Sequence, residues 1–84
     1  MKFTLYILKS KSTNKFYVGH TNNMERRVFE HNSGQTKSTK PGIPWELVYT
    51  KEFQTNIEAN RAELDIKKKK SRKYIEQLIS GQSG

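Results

Sequence analysis

The sequence predicts an α/β protein of the α+β type: a small three-stranded antiparallel sheet covered by helices, in the order β-β-α-β-α-α. Three observations predict it. Short segments with strand-like alternation occur at Phe3–Leu8, Phe16–Gly19 and Trp45–Phe53. Two boxes of the form Asn/Thr-x-x-Glu precede stretches with helical spacing. Finally, the 84 residues are only about a third apolar, against ~45–50% in an ordinary globular chain. That allows one small core and a single domain over residues 1–84, with its core at about 3–79.

In the first two strands, Phe3, Leu5 and Ile7 alternate with Thr4, Tyr6 and Leu8, and Phe16 and Val18 with Tyr17 and Gly19. Successive side chains point to opposite faces, so a pairing that gathers the first set on one apolar face puts both tyrosines on the other. Asn22-x-x-Glu25 has the form of a capping box, and Gly34 is a helix stop. At about 100° per residue, Met24 and Val28 face inward, Arg27 and His31 lie at the edge of that side, and Arg26 and Glu30 point away. Gly34–Pro44 reads as a polar loop. In the third strand, Trp45, Leu47 and Tyr49 share one face and Glu46, Val48 and Thr50 the other. Thr55-x-x-Glu58 starts a second helix, whose Ala59, Ala62 and Ile66 form a packing stripe with Glu63 at its margin. Ile57 and Leu64 fall on nearly the opposite side, so this helix is expected to be gripped between the sheet and a last helix. That helix spans about Ser71–Ser80, carries Ile75, Leu78 and Ile79, and ends before Gly81.

Composition removes several kinds of chemistry. Cysteine is absent, which excludes disulfides, zinc-thiolate sites and thiol catalysis. The sequence has no apolar run of the ~20 residues that span a membrane and no signal peptide, and it reads as a cytoplasmic protein. Neither a glycine-rich phosphate loop, a Gly-x-Ser-x-Gly pattern nor a cluster of carboxylates is present. The net charge is +8 and is unevenly placed: residues 67–84 hold six basic side chains against one acidic. The run Lys67, Lys68, Lys69, Lys70, then Arg72 and Lys73, attracts polyanions by releasing their counterions. It lacks the broad aromatic-apolar face of a membrane-surface helix. Nucleic acid is the expected partner, and charge does not separate RNA from DNA.

Five chemistry-bearing residues remain: Tyr6, Tyr17, Arg27, His31 and Glu63. Their order carries a resemblance. Tyr6, then Tyr17-Val18-Gly19, Thr21-Asn22-Asn23-Met24-Glu25-Arg26-Arg27, His31-Asn32-Ser33-Gly34, Pro44-Trp45-Glu46-Leu47-Val48-Tyr49 and Glu58-Ala59-x-x-x-Glu63-x-x-x-Lys67 are similar to the GIY-YIG endonuclease domain. The similarity covers roughly 3–78 and is greatest to short stand-alone bacterial members related to the nuclease subunit of the bacterial excinuclease. Thr4 and Leu5 replace the Gly and Ile of the first motif, and His20 follows the second.

The resemblance implies metal-dependent hydrolysis of phosphodiester bonds in DNA, branched or damaged forms included. Glu63 would hold one Mg²⁺ or Mn²⁺ together with waters and a phosphate oxygen. Arg27 would stabilise the transition state. One of the tyrosines would orient or deprotonate the attacking water, with a nearby cation or His31 favouring its ionised form. Gly19 and His20 join Lys67–Lys70, Arg72 and Lys73 as expected nucleic-acid contacts. The active centre then requires the two phenols, the guanidinium and the carboxylate to line one shared hollow. With no appended binding domain, target choice falls to this domain or to a protein partner. The alternative is a non-catalytic nucleic-acid-binding module on the same scaffold. Taken singly, Arg27 is a candidate ion-pair partner of Glu30 or Glu63, and Glu63 of Lys67. Trp45 reads as core.

Overall fold

In the computed structural model, which describes residues 2–82, strands β1 (Phe3–Ser10), β2 (Phe16–Thr21) and β3 (Trp45–Phe53) form one antiparallel sheet in the order β2-β1-β3. The ends of the expected 1–84 domain, residues 1 and 83–84, lie outside the described residues. Helices α1 (Met24–Asn32), α2 (Asn56–Lys69) and α3 (Arg72–Gln82) complete the β-β-α-β-α-α order. A short 3-10 turn, Lys40–Gly42, lies inside the expected loop. Among the described residues no helix is long and apolar enough to cross a membrane.

Both early strands run two residues beyond their expected ends. Apolar alternation stops there, but the backbone ladder does not: Thr21 still pairs with Thr4 and Ser10 with Trp45. The register sets Tyr6 opposite Gly19 and Leu8 opposite Tyr17, while Leu5 faces His20 and Ile7 faces Val18. Tyr6 and Tyr17 therefore share a face, as alternation requires. Helices cover both faces. Tyr6, Leu8 and Trp45 pack with Met24 and Val28 of α1, whereas Leu5, Ile7 and Val18 pack with Ile66 of α2 and Tyr74, Ile75 and Leu78 of α3. This explains why Leu5, Tyr6, Ile7 and Leu8 are all buried in succession. Each of these aliphatic side chains contributes about 1.5–3 kcal/mol by leaving water.

Four expectations are corrected. Trp45, Leu47 and Tyr49 do not share a face. Leu47 pairs with Leu8 but Tyr49 pairs with Ile7, so the bulge at Val48 inserts one residue and reverses the parity of the strand beyond it. The cap of α1 is Asn23, not Asn22: its side chain accepts from the Arg26 N–H at 3.1 Å, and its own N–H is held by Thr21 Oγ1. Ile57 and Leu64 are exposed, and α3 does not cover them. Lys70 ends α2 in the left-handed region at φ 49°, so the chain turns back at once and α3 settles beside α2 on the same side of the sheet. Lastly, α3 continues through Gly81.

Candidate active site

Tyr6 projects from the central strand and lies across its neighbour. A Cβ on residue 19 would stand 2.6 Å from the Tyr6 phenol oxygen, so only glycine leaves room for the ring. Gly19 is itself buried beneath it. The phenol oxygen is placed between two groups from successive turns of α1. Arg27 Nε donates to it at 3.3 Å, and His31 Nε2 lies 3.0 Å away. Burial pushes the Tyr6 phenol up to about 12, with the Arg27 hydrogen bond opposing and the charges of Tyr17 and Glu63 adding to the rise. The neighbouring guanidinium therefore does not by itself favour an ionised Tyr6 phenol, because desolvation outweighs its hydrogen bond.

His31 is fully buried rather than at the edge of α1. Its second nitrogen, Nδ1, is 2.8 Å from Thr39 Oγ1, so both ring nitrogens are satisfied and burial leaves no orphan. Burial and the neighbouring Arg27 charge hold its pKa below the usual 6.5, against a smaller pull from Glu30. Glu30 does not point away either. It accepts from Arg26 Nε at 3.1 Å and from Arg27 Nη1 at 3.0 Å, which is within reach of residues three and four apart on a helix. These bonds, that from Arg27 foremost, lower its carboxyl pKa. The same Tyr6 and Glu30 contacts fix the Arg27 guanidinium in place.

Tyr17 packs against His31 with ring centroids 4.9 Å apart and planes tilted by 59°, and meets Trp45 edge-on. Glu63 reaches this region from the other face of the sheet, since α2 packs on the Leu5–Val18 side. Its Oε1 accepts from His20 Nδ1 and its Oε2 from Lys67 Nζ, both at 2.6 Å. Lys67 Nζ in turn lies 6.0 Å from the Tyr17 ring centroid. Burial alone would raise the Glu63 carboxyl, but the Lys67 and His20 bonds outweigh it and the net shift is downward. Tyr6, Tyr17, Arg27 and His31 therefore stand on one face and Glu63 and His20 on the other, linked past the outer edge of β2 by Lys67. The one shared hollow expected for both phenols, the guanidinium and the carboxylate is replaced by two, Tyr17 lining one and Arg27 the other, with neither Tyr6 nor Glu63 in either lining. Two hollows flank that edge. One, about 440 Å³, runs between Lys15, Phe16, Tyr17, Lys67, Lys70 and Arg72. The other, about 300 Å³, lies among His20, Asn22, Asn23, Arg26 and Arg27.

Every cation of the basic run is exposed, but some are held by partners. Besides Lys67, Lys69 sits over the Tyr74 ring and Arg72 over Phe16, with Arg72 also donating to the Asn14 carbonyl at 2.7 Å. Lys68, Lys70 and Lys73 are exposed. Three residues that position this site carry no signal of their own in the sequence, Thr39, Gly42 and Ser10, and a fourth, Asn32, stands out there only as a member of the His31-Asn32-Ser33-Gly34 motif. Asn32 clamps the Trp45 backbone at both its N–H (2.6 Å) and its carbonyl (3.0 Å), and the Trp45 indole donates to the Thr39 carbonyl at 2.7 Å. Ser10 Oγ donates to the Gly42 carbonyl at 2.6 Å. Ser, Thr and Asn in a polar stretch carry no periodic signal that would single these out.

Among the described residues no three His, Asp or Glu side chains gather as a metal site. A single carboxylate still fits Mg²⁺ or Mn²⁺, which keep several waters and take phosphate oxygens as ligands. Glu63 would offer Oε2 to such an ion only if Lys67 Nζ, bonded to it at 2.6 Å, moved off.

The family model described as the GIY-YIG catalytic domain matches residues 2–75, and the chain belongs to that family. It is 42% identical to the UPF0213 protein YazA of Bacillus subtilis (strain 168) over 76 residues, 86% of this chain and 76% of that protein. The UPF0213 protein SSP2268 of Staphylococcus saprophyticus is 36% identical over 81 residues, 95% and 98% of the two chains. The solution NMR structure of the UPF0213 protein BH0048 from Bacillus halodurans, 38% identical, superposes with a TM-score of 0.62 over 100% of this chain and 88% of that one.

Proposed function

We propose that the protein is an endonuclease that hydrolyses phosphodiester bonds in DNA with a divalent ion, Mg²⁺ or Mn²⁺, held by Glu63. The observation that carries this reading is the Tyr6 phenol oxygen bonded at once to Arg27 and His31, in a chain of the GIY-YIG family. Bound at Glu63, such an ion supplies charge to polarise the scissile phosphate. The remaining work belongs to side chains. Arg27 turns its guanidinium from Tyr6 onto a phosphate oxygen, where its donors meet the charge that builds in the transition state. That movement uncovers the phenol. Water then gives a proton to the Tyr6 oxygen as Tyr6 passes its own to neutral His31. The water oxygen bonds to phosphorus as the opposite phosphorus–oxygen bond breaks, the leaving oxygen takes a proton from solvent water, and His31 gives its extra proton back through Tyr6 to the hydroxide so formed, which restores both side chains. Tyr17 forms the wall of the larger hollow, along which Lys15, Lys70 and Arg72 line a path for the backbone.

A second reading, a binding module without turnover, is favoured by one observation: both Glu63 oxygens are already bonded by His20 and Lys67. Cleavage of duplex, flap, junction and single-stranded DNA, with an RNA strand alongside, in Mg²⁺ or Mn²⁺ separates the two. We expect Glu63→Ala and Arg27→Ala to keep binding while losing about 100-fold or more in rate. No cleavage by the wild type on any substrate with either ion, or full activity in Glu63→Ala, would overturn the nuclease reading.

A further inference from the structure

A chain of buried hydrogen bonds runs from Arg27 through Tyr6 and His31 to Thr39, and its direction is fixed at both ends. Arg27 Nε–H can only donate, so the Tyr6 oxygen accepts there. Tyr6 is 1% exposed and, among the described residues, the acceptor within reach of its proton is His31 Nε2. At the other end the Thr36 carbonyl can only accept, and Thr39 Oγ1 donates to it at 3.3 Å. The Thr39 oxygen is then the acceptor for the proton on His31 Nδ1 at 2.8 Å. Reversing the ring would aim Nε2–H at a phenol oxygen whose own proton then has no acceptor, and would take the Thr39 hydroxyl from Thr36. Thr39 is held for this task. It is 2% exposed, its N–H donates to the Thr36 carbonyl, and its carbonyl takes the Trp45 indole N–H.

We propose that Thr39 is a positioning residue that locks His31 as the Nδ1–H tautomer, leaving Nε2 open to receive the Tyr6 proton. The proposal rests on the nuclease reading for its purpose but not for its test. When Tyr6 gains a proton from water and passes one to Nε2, His31 becomes an imidazolium whose Nδ1–H still points at Thr39. On reversal the Nε2 proton returns through Tyr6. No charge reaches Thr39, whose hydroxyl only orients the ring.

The test uses the protein labelled with ¹⁵N-histidine and records ring nitrogen–proton correlations without substrate. Wild type and Thr39→Ser, which keeps the hydroxyl, should give the Nδ1–H pattern for His31. Thr39→Val, of similar shape but without the hydroxyl, should lose it for a mixed or Nε2–H pattern, with Thr39→Ala as the second hydroxyl-free variant should valine disturb folding. In cleavage assays the hydroxyl-free variant should lose at least about 10-fold in kcat at unchanged KM, as expected of a misplaced tautomer, and Thr39→Ser should restore it. An unchanged His31 pattern in a folded hydroxyl-free variant overturns the proposal, and so does a changed pattern with unchanged kcat. Because the ring pattern needs no turnover, a failure of Thr39 and a failure of the nuclease reading show in different measurements.

Discussion

The Tyr6 phenol keeps its proton at neutral pH because the ring is walled in by Gly19, His31 and Trp45's neighbour Tyr17, and desolvation exceeds what the Arg27 bond returns. This has a measurable consequence. A folded-state pKa raised from 10.0 to about 12 means the native protein holds a proton that the unfolded chain has released. The stabilisation is complete below the ordinary phenol value and is lost as pH rises toward the folded one. An ultraviolet absorbance titration of the folded protein should contain one late component near 12 that Tyr6→Phe removes. If Tyr6→Phe instead removes a component near 10, the burial account of this residue fails. His31 works in the opposite sense. Its lowered pKa leaves the native ring neutral while the unfolded one binds a proton, so stability contributed by this group falls as pH drops below about 6.5.

Among the elements, the segment between α1 and β3 carries more of the site than its polar composition suggests. It crosses α1 with Thr39 against His31, and the Asn32 clamp on the Trp45 backbone fixes both ends of that crossing. Removing the clamp leaves a backbone N–H and carbonyl short of partners. We expect Asn32→Ala to cost about 1–2 kcal/mol and to lower Tm by on the order of 5–10 °C for a chain of this size. A thermal melt within about 2 °C of wild type would show the clamp to be dispensable. These elements also mark how far the sequence could be read. The order of strands and helices was legible because alternation and capping boxes are local, and so was the shared face of Tyr6 and Tyr17. The depth of His31 was not. A helical wheel places a residue relative to its own helix, whereas His31 is buried by a loop arriving eight residues later. The bulge at Val48 was hidden for a similar reason: alternation in Trp45–Phe53 looks unbroken, and only the partner strand reveals the extra residue.

Across the whole molecule, charge and geometry coincide. The exposed Lys68, Lys70 and Lys73 stand at the junction of α2 and α3, and Lys70 lines the larger hollow with Tyr17 and Lys67. Cations there contact phosphates without regard to base sequence. Replacing these three lysines with alanine should weaken DNA binding broadly and reduce the slope of log affinity against log salt by up to about 2–3. Fluorescence anisotropy across a salt series measures both quantities, and an unaltered slope would remove this corner from the binding surface. Lys67 is left out of the set because its ammonium is bonded to Glu63, so changing it would disturb two things at once.

β2 is an outer strand, and along its free side the residues brought by opposite faces of the sheet come together. A polypeptide that zipped onto that margin as a fourth strand would cover the ground between the two hollows. Two copies joined through β2 would hide that margin in each, whereas copies joined through β3, at the opposite margin, would leave it exposed in both.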